Sequence, residues 1–290
     1  MPRISIITPS YNQAAFLEET IRSVLDQDYP NLQYGIVDGG STDGSIDIIE
    51  RYRDRCDFVI IERDGGQSEA INKGLSRADG QVIGWLNSDD TLLPGALRLV
   101  AERFAADPAL SWLIGTATRI DARGRPLGEL TPTGDFTLAG ALIRDTPILV
   151  PQPATFWRRA LTDAVGLLDE SLHHCMDFDL WCRFMAAEHQ PLLLSHALAT
   201  YREHESSKTC SQADRFIVAL IGIEKRYRHL LPLRDQMRLL RRIGFQERAL
   251  AVRLAKVRPW RQVLRRPWWL LSQQVRAALL GTVVGPPSQA

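Results

Sequence analysis

Four short apolar runs, each ending in a polar cluster, constrain this chain more than any other feature. Ile4-Ser5-Ile6-Ile7-Thr8 is a β-branched run closed by Pro9, and Thr8-Pro9-Ser10-Tyr11-Asn12 follows it. Tyr34-Gly35-Ile36-Val37 leads into the Asp38-to-Asp43 turn. Phe58-Val59-Ile60-Ile61 precedes Asp64-Gly65-Gly66-Gln67, and the run from Gln81 to Leu86 precedes Asn87-Ser88-Asp89-Asp90. Between these runs the apolar residues recur at helical spacing over 15–27, 45–55 and 68–78, then again over 94–106, where Pro94 opens the first turn. A fifth apolar run spans 112–118. Strand–helix alternation with short connections predicts an α/β fold with a mostly parallel sheet covered by helices on both faces. Such sheets bind ligands at the carboxyl ends of their strands. Four consecutive polar strand ends therefore predict one site.

Charge divides the chain. Residues 1–210 carry 19 Lys and Arg against 30 Asp and Glu, whereas residues 211–290 carry 16 against 4. The expected organisation is a catalytic domain over 1–212 and a basic helical extension over 213–290. Cys56, Cys175, Cys182 and Cys210 form no CxxC pair and no disulfide framework, which fits a reducing compartment. The start of the chain lacks the pattern of a signal peptide, and no apolar run reaches about 18 residues, so no spanning helix is expected. The expected location is cytoplasmic.

The chemistry rests on carboxylates. Asp89 and Asp90 at a strand end suit a hard divalent cation able to neutralise a departing diphosphate. A helix cap before Pro94 explains the same residues equally well at this point. In Asp38-Gly39-Gly40-Ser41-Thr42-Asp43-Gly44-Ser45 the glycines allow close approach to a ligand, and Asp38 could accept hydrogen bonds from a base or ribose; a turn and cap without ligand is the other reading. The segment lacks GxGxxG spacing, which argues against a dehydrogenase. Asp177 and Asp179 enter a helix, where an acid can act as a general base or merely favour the helix dipole. His204 could complete a metal site, and Arg202 or Lys208 could neutralise phosphate.

Taken together these stretches resemble the family 2 inverting glycosyltransferases, whose fold is called GT-A. The resemblance lies in 6–12, 37–45, 66–74, 85–90 and 176–181, in the family's order. It implies that Thr8, Pro9 and Tyr11 line a nucleotide pocket and that Asp38 contacts the uracil or its ribose. Asp64, Gly66, Gln67, Asn72 and Lys73 would lie near base, ribose and donor. Asn87-Ser88-Asp89 stands where the family carries an Asp-x-Asp metal motif, so Asp89 is the implied ligand of Mn²⁺ or Mg²⁺, with Asp90 towards the donor sugar. Asp177 falls on the catalytic base, and His204 matches a histidine that reaches the metal or diphosphate. Two positions depart from the pattern: Asn87 replaces an acid, and Gly39 replaces an acid often found after Asp38.

The implied activity is metal-dependent transfer, with inversion, from a nucleotide-sugar (UDP-sugar first) to a saccharide or lipid-linked acceptor, in polysaccharide or lipopolysaccharide assembly. A sugar-nucleotide-binding scaffold without turnover is the alternative. A nucleotidyltransferase is disfavoured because residues 8–13 hold no Lys or Arg for a triphosphate. The Arg- and Trp-rich segment from Arg258 to Leu271 is expected either to lie on an anionic membrane surface or to pack as a helical extension. No nucleic-acid-binding motif accompanies its charge.

Overall fold

A computed structural model of the chain describes residues 1–143, 148–205, 207 and 213–257, with no side-chain description for 213 and 253–257. It divides into two compact units, Met1–Ser207 and Lys208–Ala290. The segment from Arg258 to Leu271, as well as Lys208 and Cys210, lies outside the described residues.

The first unit is one nine-stranded sheet with helices around it. Its strands are β1 (Ile4–Ser10), β2 (Leu32–Asp38), β3 (Phe58–Ile61), β4 (Val82–Trp85), β5 (Thr91–Leu92), β6 (Trp112–Asp121), β7 (Pro126–Leu130), β8 (Thr155–Arg158) and β9 (Pro191–Glu203). The helices are α1 (Leu17–Leu25), α2 (Ser45–Tyr52), α3 (Gln67–Arg77), α4 (Ala96–Ala106), α5 (Leu138–Ile143), α6 (Arg159–Val165) and α7 (Met176–Ala186). The order across the sheet is β3-β2-β1-β4-β8-β6-β9-β5, with β7 beside β6.

The expected strand–helix alternation is present through α4, and β3-β2-β1-β4 are parallel throughout. β1 is buried over its full length, as a central strand covered on both faces must be. The sheet as a whole is mixed, which corrects the expectation of a mostly parallel one. β8, only four residues long, runs antiparallel between β4 and β6. β5 pairs antiparallel with β9, and β7 with β6, while β6 and β9 are parallel. The run Thr155-Phe156-Trp157 is too short for periodicity to reveal, and only its neighbours make it a strand.

Two apolar clusters hold this unit together. One joins α1, α2 and α4 to the parallel strands through Ile4, Ile6, Ile21, Ile36, Leu97 and Phe104. The other is aromatic. Trp181 of α7 stacks on Trp85 at 5.9 Å and on Trp112 at 5.7 Å, and meets Trp157 edge-on at 5.8 Å. Trp181 lies one helical turn past Asp177, so the stacking fixes α7 against the last residue of β4.

The second unit contributes α8 (Ala213–Tyr227) and α9 (Leu233–Val257), joined by a short turn around Arg228–Leu230. The two helices contact one another and are tied by an ion pair from Lys225 to Glu247 at 2.6 Å.

Candidate active site

The turn after β4 is the centre of the site. The Asp90 N–H closes it onto the Asn87 carbonyl at 3.1 Å. Asp89 Oδ2 lies 2.9 Å from His204 Nε2, just past the end of β9, and both side chains are largely buried. The His204 ring rests on Phe16 at 4.8 Å. Asp90 is fully buried and faces the other way: its Oδ1 accepts the Arg202 backbone N–H at 2.8 Å, and its carbonyl accepts the Thr20 hydroxyl at 2.7 Å. Burial, and then the neighbouring Asp89, push the Asp90 carboxyl well above the usual carboxylate range. Ser88 is buried in the same turn.

Arg202 is the residue that fixes this turn. Its side chain donates from Nε to the Asp89 carbonyl at 2.8 Å and from Nη2 to Glu19 at 2.6 Å, and it lies over Phe16 at 5.0 Å. The sequence reading offered Arg202 as a phosphate neutraliser. The structure instead spends it on the backbone and carboxylate behind Asp89. Helical spacing over 15–27 marks Phe16, Glu19 and Thr20 only as parts of one helix and gives no sign of these contacts.

Asn87, the position that departs from the acidic pattern, is locked by amides. Its Oδ1 accepts from Gln67 Nε2 at 2.8 Å, and its Nδ2 donates to Gln152 Oε1 at 2.9 Å. Gln152 in turn donates to the Trp85 carbonyl at 2.9 Å. A carboxylate at 87 could accept from Gln67 but could not donate to Gln152. An amide is what this position requires.

The other strand ends divide between site and scaffold. Tyr11 is 62% exposed at the end of β1, whereas Thr8 and Pro9 are buried in the strand; Thr8 accepts a hydrogen bond from the Tyr34 hydroxyl at 3.0 Å. Asp38 is fully buried, with Oδ1 accepting from the Gly40 and Ser41 N–H groups and Oδ2 from the Ser41 hydroxyl. It shapes the loop from beneath. Asp64 caps its own turn through the Gly66 N–H at 2.9 Å and projects Oδ2 to 2.8 Å from where a Cβ on Gly39 would stand. Burial raises its carboxyl. Gly66, at φ +141°, opens α3 in a conformation that favours glycine.

Asn72 and Lys73 both lie on α3. Asn72 is buried, donating to the Leu168 carbonyl and Glu170 and accepting the Leu168 N–H. Ser68 adds a bond to the Leu172 carbonyl at 2.8 Å. These contacts strap the 168–172 loop onto α3, just before the helix that carries Asp177. Lys73 pairs with Glu62 at 2.8 Å and Glu69 at 2.9 Å, which push its ammonium upward.

Asp177, in the first turn of α7, accepts the Phe178 N–H at 2.8 Å. Burial raises its carboxyl from the ordinary aspartate value. Asp179, two residues on, is buried and paired with Arg183 at 3.1 Å, a structural role.

Among the described residues, no group of three or more His, Cys, Asp and Glu could hold a metal by itself. Asp89 and His204 nevertheless bring one carboxylate oxygen and one imidazole nitrogen to a common point. A carboxylate oxygen and an imidazole nitrogen are both ligand types for divalent cations, so these two side chains are the ones that would hold one here.

The fold is a curled mixed sheet flanked by helices, with carboxylates at its strand ends, and the sequence carries the family assignment. Residues 5–164 match the Glycosyl transferase family 2 model, and the chain belongs to that family. It is 28% identical over 224 residues to an uncharacterized glycosyltransferase of Rickettsia typhi, covering 72% of this chain and 66% of that protein. It is 32% identical over 187 residues to the chondroitin synthase of Pasteurella multocida, covering 63% of this chain and 19% of the synthase. The chain thus spans less than two thirds of the length of these relatives. Among solved structures, Staphylococcus aureus TarS 1–349 in complex with UDP superposes with a TM-score of 0.61 at 18% identity, over 97% of this chain and 81% of that one. A mannosyltransferase of Pyrobaculum calidifontis in complex with GDP-Man and Mn²⁺ superposes with a TM-score of 0.56 at 16% identity, over 98% of this chain and 87% of that one. At these identities the structures speak for the fold.

Proposed function

We propose that this chain transfers a sugar from a nucleoside diphosphate sugar, UDP-linked in the first instance, to an acceptor hydroxyl with inversion at the anomeric carbon. Polysaccharide assembly is the setting that the synthase relative favours. The observation that carries the reading is the joining of Asp89 and His204 across 115 residues, on a turn whose neighbour Trp85 is stacked against the helix of Asp177.

Asp89 and His204 would hold the divalent cation, which when bound supplies positive charge to the diphosphate leaving group. The exposed Tyr11 ring, at the mouth of the β1 end, offers a stacking face for the base. Asp64 Oδ2, over Gly39, offers an acceptor for base or ribose. Gln67 and Asn87 orient the turn. Asp177 takes the proton of the acceptor hydroxyl, whose oxygen bonds to the anomeric carbon as the bond to phosphate breaks on the opposite face. The partners implied are a nucleotide-sugar and a saccharide or lipid-linked acceptor, and the location implied is cytoplasmic. Among the described residues no helix is long and apolar enough to cross a membrane.

The test is nucleotide release from a panel of UDP- and GDP-sugars, with Mn²⁺, Mg²⁺ or chelator, on wild type and Asp89→Asn. One sugar nucleotide should be turned over, chelation should stop turnover, and the variant should need at least about tenfold more cation. Cation-dependent binding of a donor without turnover, for any acceptor offered, would move the scaffold reading ahead.

A further inference from the structure

Helix α9 has two chemically distinct faces. One carries Leu239, Ile243 and Leu250, all at 2% exposure or less. It also carries Glu247, paired with Lys225, and Arg242, 3.4 Å from the buried Glu224 of α8. The other face is open to solvent and strongly apolar. Leu233, Met237, Leu240, Phe245 and Val252 are all exposed, Leu233 at 74% and Phe245 at 68%. At about 100° per residue these five positions fall within an arc of roughly 160° along about 30 Å of helix.

Arginines share that arc. Arg234, Arg238, Arg241 and Arg248 are exposed between the apolar residues. No exposed position from Leu233 to Val252 is acidic. The two acids of this stretch, Asp235 and Glu247, are only partly exposed and each has a basic partner. An ordinary solvated helix face interleaves both signs of charge and few large apolar groups. This one combines several large exposed apolar side chains with one sign of charge.

The combination selects among occupants. Nucleic acid would use the arginines but would give no return for covering Leu, Met, Phe and Val. A second copy of the same face would set arginines against arginines. An anionic bilayer surface uses both: side chains enter the headgroup–acyl boundary while guanidinium groups meet lipid phosphates. We infer that the solvent face of α9 is a membrane-surface site that lies flat on anionic phospholipid. This goes beyond the transfer activity proposed above and does not depend on it, and it rests on residues distinct from the Arg- and Trp-containing segment further along.

Vesicle co-sedimentation of the full chain tests it, using phosphatidylcholine vesicles with and without phosphatidylglycerol. The chain should bind the anionic vesicles, be released as salt rises, and ignore the neutral ones. Met237→Glu with Phe245→Glu, and separately Arg241→Glu with Arg248→Glu, should each weaken binding about tenfold or more. Arg241→Lys with Arg248→Lys should retain it. Unchanged far-ultraviolet circular dichroism shows that the variants remain folded. Three outcomes overturn the inference: no binding to anionic vesicles; glutamate variants that bind like wild type; or lipid-free self-association that the same substitutions abolish, which makes a second copy the occupant.

Discussion

The two halves of the sheet build the site by different means. In the parallel half, β3-β2-β1-β4, polar groups mostly bond within their own loop or to the next one. Asp38 binds Gly40 and Ser41, Asp64 binds Gly66, and Asn12 accepts from Thr42. In the mixed half, β8-β6-β9-β5, the decisive groups reach back across the chain. His204 meets Asp89, Arg202 meets Glu19, and Gln152 meets Asn87. The parallel half supplies a floor of preformed loops. The mixed half contributes groups that reach over it from distant parts of the chain, and on the proposed function it should affect chemistry more than shape.

The comparison predicts that the largest loss of activity comes from the far half with least damage to the near one. Asp177→Asn should lower kcat about 10³-fold while donor Kd stays within about twofold. Equal loss of donor binding and turnover would break the division. In wild type the acid limb of kcat/KM should titrate above the ordinary carboxylate value of about 4, because burial raises Asp177. The same shift has a sign for stability. The folded state holds this proton more tightly than the unfolded chain, so stability contributed by the neutral acid is lost as pH rises from the unfolded value through the folded one. Asp177→Asn should therefore melt higher than wild type at pH 7 and match it below about pH 4. Higher stability with lost turnover would sharpen the view that this helix start stores the cost of function.

Next in size is Arg202→Ala. It removes the guanidinium that holds the Asp89 carbonyl and Glu19, while the backbone bond to Asp90 stays, and should lower unfolding free energy by about 2 kcal/mol, read from urea unfolding. Arg202→Lys should recover little, since one ammonium cannot reproduce the directed contacts of the guanidinium. A full recovery would show that charge alone positions the turn.

The smallest stability effect belongs to the parallel half. Tyr11→Ala removes an exposed ring and should change stability by no more than about 0.5 kcal/mol. It should nevertheless weaken donor binding about tenfold in a thermal-shift titration, as loss of one stacking face implies. A stability loss as large as that of Arg202→Ala would place Tyr11 in the scaffold instead.

The sequence by itself determined the first four strands and their helices, because buried parallel strands are continuous β-branched runs and the helices between them keep a 3.6-residue period. It also determined that polar clusters at the ends of those strands would converge, since parallel strands all present their carboxyl ends on one side. Its motifs carried the family. Tertiary structure alone decided which members of those clusters are available. Asp38 and Asp64 look alike in sequence, yet one is spent on its own turn and the other keeps an oxygen over Gly39. The local sequence around Asn72 and Lys73 gives no sign of their protein partners, a loop strap for one and an ion pair for the other. The antiparallel insertion of β8, the placement of His204 beside Asp89, and the stacking of Trp181 on Trp85 depend on pairings between residues some 70 to 115 apart. No local period encodes such pairings. They are fixed only when buried area and hydrogen-bond partners are satisfied together across the whole sheet.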